Sequence, residues 1–398
     1  MQSARQAGPV TGLAVPGAAQ SERNDAVSQP ETTHALVQAI TALARAELAP
    51  LAGAIDQQGL YPEAFLRKLG ELGGFGASIP RASGGLGLDL ADQIDITTRI
   101  GAECGSTAFL VWCQSTCAWY LQHAPNEAPR TRYLSRVAKG ELLAGTGMSN
   151  PVKHLAGIER IHLTAVRAGD GYIVNGALPW VSNVGPDHLA IVAAAVGNEG
   201  YVMFAVHGSA AGLELHPCPE FCGMEGTQTL NLRFKDLRLD AQDVLAHPHQ
   251  FAQFIERIKP GFILGQAGMG FGVIEGSLKS IRESNASHAH VNIFLDDQGS
   301  DLAADLADLK TQAAGLARQA QTGPAPVLPV LKVRARASEL ALRAATSAVL
   351  HAGAKGYLMR HPAQRRQREA VFVAIVTPAL KHLRKEIDDL ERTQRQAA

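Results

Sequence analysis

The chain has 398 residues, of which 46% are hydrophobic and 19% charged, a length and composition that suffice for a large core spread over two or three domains. Lys plus Arg and Asp plus Glu both number 37, so the formal net charge is zero and no basic excess predicts nucleic acid or an anionic membrane as a partner. We expect no apolar run to span a bilayer and find no basic segment followed by an apolar one at the N-terminus. The prediction is a soluble cytoplasmic protein.

The N-terminal part of the chain predicts helices. Residues 1–33 are rich in Ala, Gly, Gln, Ser and Pro without periodicity, which predicts a disordered tail. Residues 34–143 carry apolar side chains at three- and four-residue intervals, which predicts an all-α domain. Its helical segments start at Thr33, cover residues 62–72, follow a glycine-rich elbow within residues 73–121, and cover residues 131–143.

Residues 144–250 predict a middle β domain. It opens with small and turn-forming residues from Gly145 to Pro151, which suit a loop that lets a flat ligand approach the backbone. Residues 168–171 supply a hairpin turn between two strand-like runs. The alternation and frequent turns predict a small sandwich or barrel with strands at residues 161–166, 171–176, 188–195, 200–207 and 229–234.

Residues 251–398 predict a helical bundle. The helical period begins at Pro260, and the six glycines within residues 261–284 are expected to permit close helix packing or ligand approach. Four helices of this length suit an antiparallel four-helix bundle. The other three are predicted at residues 301–319, 329–352 and about 362–395.

The cysteines form no recognisable metal or disulfide pattern. Cys113 and Cys117 lie four positions apart, as do Cys218 and Cys222, but neither pair is C-x-x-C and no histidine cluster accompanies them. An odd count of five argues against a secreted disulfide framework. We therefore predict structural cysteines and no metal site.

Several segments resemble the acyl-CoA dehydrogenase superfamily, and the resemblance extends over residues 33–390. They are GGFGASIPRASGGLGLDL (73–90), TRYLSRVAKGELL (131–143), SNP (149–151), NGALPWVSN (175–183) and GMEGTQTLNLRFKDLRL (223–239). The resemblance implies an α+β multidomain fold with an N-terminal α-helical domain, a middle β-barrel or sandwich and a C-terminal four-helix bundle. It also implies FAD as the cofactor, an acyl-CoA or related small substrate, an electron acceptor or reductase protein, and a homodimer or homotetramer.

The resemblance assigns cofactor-binding residues by position. Met148, Ser149, Trp180 and Ser182 correspond to residues that embrace the flavin ring, and Ala379 to one that touches it. Gln298, Gly353 and Ala354 correspond to elements that approach the adenine part of FAD across a subunit interface. Two diphosphate-binding signatures of the family are replaced, by Val152-Lys153-His154 and by the segment at residues 284–294. FMN, or weakly held FAD, is therefore the alternative cofactor.

The family's catalytic glutamate corresponds to Thr377, and its alternative base position to Ile258. A threonine hydroxyl is too weak a base to remove an α-proton, so the role of Thr377 stays open and His154 becomes a candidate for proton transfer. Glu256 and Lys259 correspond to residues that hold the CoA chain, although a surface ion pair explains them equally well. Gln114, on the apolar helical run, is a further candidate for substrate contact.

The predicted function is a flavin-dependent oxidoreductase that acts on the CH–CH group of an acyl-CoA or related substrate, with hydride transfer to flavin N5. Because both base positions lack a carboxylate, two alternatives stay open. One is a monooxygenase or oxidase of the same superfamily that uses reduced flavin and oxygen. The other is a non-catalytic flavin-binding paralogue.

Overall fold

The computed structural model describes residues 29–397. Residues 1–28 of the predicted disordered tail lie outside this range, and the first helix begins at Gln29, slightly ahead of the predicted start at Thr33. The N-terminal part is helical, as expected from its periodicity. Its helices are α1 (Gln29–Leu43), α2 (Ala52–Gln58), α3 (Glu63–Glu71), α4 (Leu90–Glu103), α5 (Gly105–His123) and α6 (Glu127–Ala138).

Two local features explain how α4 and α5 are set. Asp89 caps α4, because its carboxylate accepts the N–H of Asp92 at 3.0 Å while the Asp92 carboxylate accepts the N–H of Asp89. Every residue from Gly105 to Leu121 on α5 is buried, and a helix that is apolar all round belongs in the centre of a protein. The rest of the helical part is arranged around α5.

One stretch, Thr33–Gln58, is long and apolar enough to cross a membrane by length and composition, contrary to the expectation from the sequence. In the fold it comprises α1, one turn of π-helix, a 3-10 turn and α2. Ile40, Leu48 and Ile55 on this stretch are completely buried in the protein core. Only 22% of the apolar window is buried in the protein, and length and composition alone do not identify a membrane span.

The middle part forms one eight-stranded sheet. Strand order is β6-β7-β3-β2-β4-β5-β8, with β1 pairing in parallel with β4. The predicted hairpin is present, because β2 and β3 are antiparallel and Ala168 pairs with Gly171. The strands are β1 (Ala144–Thr146), β2 (Leu163–Ala168), β3 (Gly171–Val181), β4 (Leu189–Ala195), β5 (Tyr201–His207), β6 (Leu213–Pro217), β7 (Leu230–Leu239) and β8 (Val244–Ala246).

Strand β4 separates two hydrophobic cores. Its alternate residues Leu189, Ile191 and Ala193 belong to the large core shared with the helices. Its other face belongs to the core of the β part, through Ala190, Val192 and Ala194. The alternation of side chains along a strand thus joins the β part to the helices through both faces of β4.

The C-terminal part is helical, with two differences from the prediction. Helix α8 begins at Pro248 rather than Pro260, and Pro260 is buried inside it. The last predicted helix is two helices that break between Ile375 and Leu380. The helices are α8 (Pro248–Asn292), α9 (Gly299–Thr322), α10 (Val327–Ala352), α11 (Pro362–Ile375) and α12 (Leu380–Ala397).

The glycines of α8 lie against the central helices. A Cβ on Gly261 would come within 2.5 Å of the Trp119 ring, and one on Gly265 within 3.0 Å of the Trp112 ring. A Cβ on Gly272 would come within 2.5 Å of the Gly101 Cα. These contacts explain why a long helix tolerates residues of low helix propensity, because the absent side chains let α8 approach α4 and α5 closely.

Candidate functional site

A cavity of about 300 Å³ lies between α5, the short helix α7 (Ser149–Leu155), α8 and the start of α12. Thr377 and Ile258, the two positions at which relatives are expected to carry a base, both line it. The apolar lining includes Tyr120, Met148, Val152, Ile255, Phe262 and Ile263, and the polar lining includes Lys153, Lys259, His382, Lys385, Glu386 and Asp389.

Residues 145–155 differ from the predicted open loop. They form β1, a turn and the short helix α7, and the N–H of Gly147 donates to the Ile191 carbonyl at 2.8 Å. Met148 is buried and lines the cavity. The Ser149 and Thr377 hydroxyl oxygens are 2.7 Å apart. One hydrogen bond therefore joins α7 to the break between α11 and α12.

Thr377 is held from its backbone as well. The amide nitrogen of Gln266 on α8 donates to the Thr377 carbonyl at 2.8 Å, and the Gln266 amide oxygen accepts from Arg334 Nε at 2.9 Å. Arg334 is completely buried and also donates to the Val373 carbonyl at 2.6 Å. Burial lowers the pKa of Arg334 to about 10. This chain of hydrogen bonds fixes Thr377 but supplies no carboxylate.

His382 is a cavity residue that the sequence reasoning missed. It lies in the first turn of α12, and its ring Nδ1 is buried without a hydrogen-bond partner in the described part of the chain. Burial lowers the pKa of the ring, and the charges of Lys381 and Lys153 lower it further. The sequence predicted one continuous helix here, so its one signal was a histidine shortly after Thr377.

His154 does not line the cavity. Its Nδ1 is 2.9 Å from the Glu159 carbonyl, and its Nε2 is 2.8 Å from the Tyr201 hydroxyl. Both ring nitrogens are engaged, so the geometry does not support the predicted proton transfer by His154. Its neighbour Lys153 lines the cavity and forms an ion pair with Glu159 at 2.8 Å.

The charged rim of the cavity consists of ion pairs. Lys259 pairs with Glu386 on α12, and Lys385 pairs with Asp389 at 2.7 Å. The predicted partner of Lys259, Glu256, is exposed and does not line the cavity. Of the two residues assigned to the CoA chain, only Lys259 lies where a substrate in the cavity would meet it.

Gln114 has a structural role instead of the predicted substrate contact. It is completely buried, and its amide nitrogen donates to the carbonyls of Val137 and Leu142, both at 2.8 Å. Its amide oxygen accepts the N–H of Ala144 at 2.7 Å and a weaker bond from the Asn183 side chain at 3.3 Å. Gln114 therefore joins the helical part to β1, and its amide is fully used by the protein.

Trp180 presents an open aromatic surface. The register shift between β3 and β7 falls at this residue, its φ is +57°, and its ring is 62% exposed. A bulge re-aims a side chain out of its sheet. The Ser182 hydroxyl lies 2.6 Å from that of Thr229, which lies 2.8 Å from that of Thr227.

These residues fit the ring of a flavin. The exposed indole of Trp180 offers a planar apolar face, and Ser182 belongs to a line of hydroxyls that can accept or donate hydrogen bonds. Ser149 adds a hydroxyl at the edge of the cavity, and Ala379 is buried just after Thr377.

The residues predicted to reach the adenine part of FAD are at a different surface. The Gln298 amide nitrogen donates to the carbonyls of Asn292 and Leu295 at 3.0 and 2.6 Å, so it caps the end of α8. Gly353, with φ +59°, and Ala354 are exposed. Large apolar side chains are exposed on either side of them in the chain and at the end of α8: Leu350, Tyr357, Leu358 and Met359, and Val291, Ile293 and Phe294.

Elsewhere in residues 29–397 the structure offers fewer candidates. An open groove of about 900 Å³ lies between α1 and α4 and is lined partly by Asp89, Asp92 and Arg99. The two carboxylates cap α4, Asp89 also pairs with Arg318, and Arg99 pairs with Asp95. Within these residues no group of three His, Cys, Asp or Glu side chains is placed to hold a metal ion.

Comparison with known proteins gives one family. Residues 30–141 match the family described as acyl-CoA dehydrogenase, N-terminal domain. The short-chain specific acyl-CoA dehydrogenase of Clostridium acetobutylicum is 24% identical over 352 residues, which cover 85% of this chain and 92% of that protein. The human mitochondrial short-chain specific enzyme is 26% identical over 88% of this chain and 87% of its own length.

Solved structures agree in fold. Butyryl-CoA dehydrogenase from Megasphaera elsdenii superposes with a TM-score of 0.81 at 20% identity, covering 90% of this chain and 98% of its own. A glutaryl-CoA dehydrogenase from Mycobacterium smegmatis in complex with FADH2 has a TM-score of 0.79 at 16% identity, covering 93% and 96%. The matched N-terminal domain, the near full-length relatives and the shared three-part fold together support the acyl-CoA dehydrogenase superfamily for this chain.

Proposed function

We propose that the protein is a flavin-dependent oxidoreductase of acyl thioesters. The proposal rests on the cavity that Thr377, Ile258 and Met148 line together, with the Thr377 hydroxyl held by that of Ser149. Relatives named as acyl-CoA dehydrogenases match nearly the whole chain. A cavity lined by both apolar and polar side chains suits an acyl chain whose thioester must be oriented.

The cofactor we propose is FAD. Met148, Ser149, Trp180, Ser182 and Ala379 would hold its ring system, which supplies the acceptor for a hydride when bound. The glutaryl-CoA dehydrogenase from Mycobacterium smegmatis, which has a similar fold, was solved in complex with FADH2, and this supports the choice of FAD. In this chain the Trp180 face would exclude water from one side of the ring, and the Ser149–Thr377 hydrogen bond would keep the cavity edge in place.

We propose that the adenine part of FAD is bound between this chain and a second copy of it. The exposed apolar side chains at the end of α8 and beside Gly353 in the chain, among them Phe294 and Tyr357 with 81% and 82% exposure, would pack against that copy. Sedimentation of the purified protein should give a dimer or tetramer. A Tyr357→Lys variant should dissociate and bind FAD more weakly, whereas its affinity for FMN should stay unchanged.

The location we propose is the cytoplasm. All five cysteines are free, and Cys222 is exposed, as expected for a reducing compartment. Fractionation of cells that express the tagged full chain should place it in the soluble cytoplasmic fraction. Recovery in the membrane fraction would reject this location.

The reaction is tested with the flavin as its own indicator. The purified protein is mixed anaerobically with acyl-CoAs of increasing chain length, and the absorbance of oxidised flavin is followed. Bleaching by one of them supports dehydrogenation. Absence of bleaching, together with oxygen consumption by the reduced enzyme and a hydroxylated product, would favour a monooxygenase or oxidase. A protein that retains neither FAD nor FMN would be a non-catalytic paralogue.

A further inference from the structure

We propose that His382 is the general base of this active site and removes the α-proton of the acyl thioester. This inference rests on the proposed function and assigns the step that a carboxylate at residue 377 or 258 would otherwise perform. His382 lines the same cavity as Thr377 and Ile258. It belongs to the first turn of α12, directly after the segment that carries Thr377.

The other titratable groups of the cavity are engaged elsewhere. Lys153 forms an ion pair with Glu159. The two carboxylates of the cavity are also paired, Glu386 with Lys259 and Asp389 with Lys385. The Tyr120 hydroxyl is 3.4 Å from Thr146 Oγ1, and burial raises its pKa well above the ordinary value. A phenol or a paired carboxylate does not accept a proton readily at neutral pH.

His382 alone among these groups has a buried nitrogen, Nδ1, without a partner in the described residues. The groups that act on the ring are the cations of Lys381 and Lys153 and the more distant carboxylate of Glu159. Burial and the two cations lower the pKa of the ring, and Glu159 opposes them. The imidazole is therefore neutral at pH 7. A neutral imidazole carries a lone pair on one of its two ring nitrogens, and that lone pair can accept a proton.

The proposed step is balanced within the substrate and the imidazole. The C–H bond at the α-carbon breaks, an N–H bond forms on the His382 imidazole, and the electron pair stays on the thioester as its enolate. The imidazolium then returns the proton to solvent. The Thr377 hydroxyl, fixed by Ser149 at 2.7 Å, takes no part in the proton transfer.

The experiment measures proton removal without any oxidation. The flavin-containing protein is incubated with acetyl-CoA in D2O, and deuterium in the acetyl group is quantified by mass spectrometry. Acetyl-CoA has no β-hydrogen, so exchange reports the base alone. We expect His382→Gln to reduce the exchange rate by about 10²-fold or more, with the flavin spectrum and acetyl-CoA affinity changed less than about twofold. Imidazole in the buffer should restore part of the exchange in His382→Ala.

The control is His216→Gln, because His216 is an exposed histidine on β6 beside Glu214, outside the cavity. It should exchange at the wild-type rate. A second measurement uses the wild type alone. Its exchange rate should fall as the pH is lowered, because protonation removes the base, and the midpoint of this fall should lie below pH 6.5. The His382 ring resonance in the NMR spectrum, assigned by its loss in His382→Gln, should titrate with that midpoint.

The outcomes separate this inference from the proposed function. Wild-type protein that neither exchanges acetyl-CoA nor bleaches with any acyl-CoA would overturn both. Bleaching or exchange in His382→Gln at the wild-type rate would overturn the role of His382 and leave the proposed function standing. If His382→Gln loses its flavin, the wild-type pH profile decides, and a midpoint unrelated to the titration of His382 would reject the assignment.

Discussion

Replacement of Asp56 by Asn should destabilise the whole chain, because Asp56 holds three parts of the fold together. Both oxygens of the Asp56 carboxylate on α2 accept from Arg368 on α11 at 2.7 Å. Arg368 also donates to the Cys222 carbonyl, in the segment between β6 and β7, at 3.0 Å. The two side chains are 6% and 13% exposed. Asp56→Asn keeps the shape of the side chain but removes its charge and one of its two acceptors.

The expected loss is about 3 kcal/mol, the lower end of the 3–5 kcal/mol for removing one partner of a buried ion pair, because asparagine keeps one acceptor. For a chain of 398 residues the unfolding entropy is about 0.8 kcal/mol/K, so the midpoint of thermal unfolding should fall by about 4 °C. The difference should be the same at about 50 and 500 mM NaCl, because a buried pair is poorly screened.

The control is Arg384→Gln, which removes an ion pair with Glu339 whose side chains are 66% and 41% exposed. It should cost less than about 1 kcal/mol. Calorimetry and urea unfolding of wild type, Asp56→Asn, Arg368→Gln and the double variant give the coupling between Asp56 and Arg368. A cost for Asp56→Asn no larger than that for Arg384→Gln would refute the reasoning.

Three further outcomes follow from the same contacts. Gln114→Leu should lower the free energy of unfolding by about 2–4 kcal/mol, because buried backbone groups lose their partners, and leave KM for the acyl thioester unchanged; urea unfolding and steady-state kinetics test this. Burial, with a smaller contribution from the charge of Arg257, lowers the pKa of His123 to about 4. The unfolded chain therefore binds this proton first, and as pH falls from about 6.5 to 4 wild type should lose up to about 3 kcal/mol; an equal loss in His123→Gln would contradict the assignment. In a His382→Gln background, Thr377→Glu should raise the acetyl-CoA exchange rate at least about tenfold, because it places a carboxylate in the cavity; no rise would count against this geometry.

The sequence predicted most of the fold because its signals are local. Helical and alternating periodicities gave the order of helical, β and helical parts, and Gly169 marked the hairpin between β2 and β3. The predicted start of α8 was wrong because proline is disfavoured in a helix interior and Pro260 was therefore taken as the first residue. In the structure Pro260 is buried within the helix. The break after Ile375 was missed because the apolar pattern continues across it.

The candidate site was predicted only in part, because its chemistry depends on contacts between distant residues. The resemblance placed Thr377 and Ile258 at base positions, and the structure puts both on one cavity. It could not show that the amide of Gln114 is used by backbone groups or that both ring nitrogens of His154 are occupied. Nor does any spacing in the sequence distinguish His382 from an ordinary surface histidine.

The glycines on α8 have a consequence for the size of substrate. Trp112 donates from its indole to the Phe262 carbonyl at 3.2 Å, and Phe262 lines the cavity. Because Gly261 and Gly265 let the tryptophans of α5 lie directly on α8, the spacing of these two helices beside the cavity depends on missing methyl groups at positions outside its lining. Alanine at either glycine would push α5 and α8 apart and change the shape of the cavity beside Phe262. The preferred acyl chain would then change without a substitution among the residues that line the cavity.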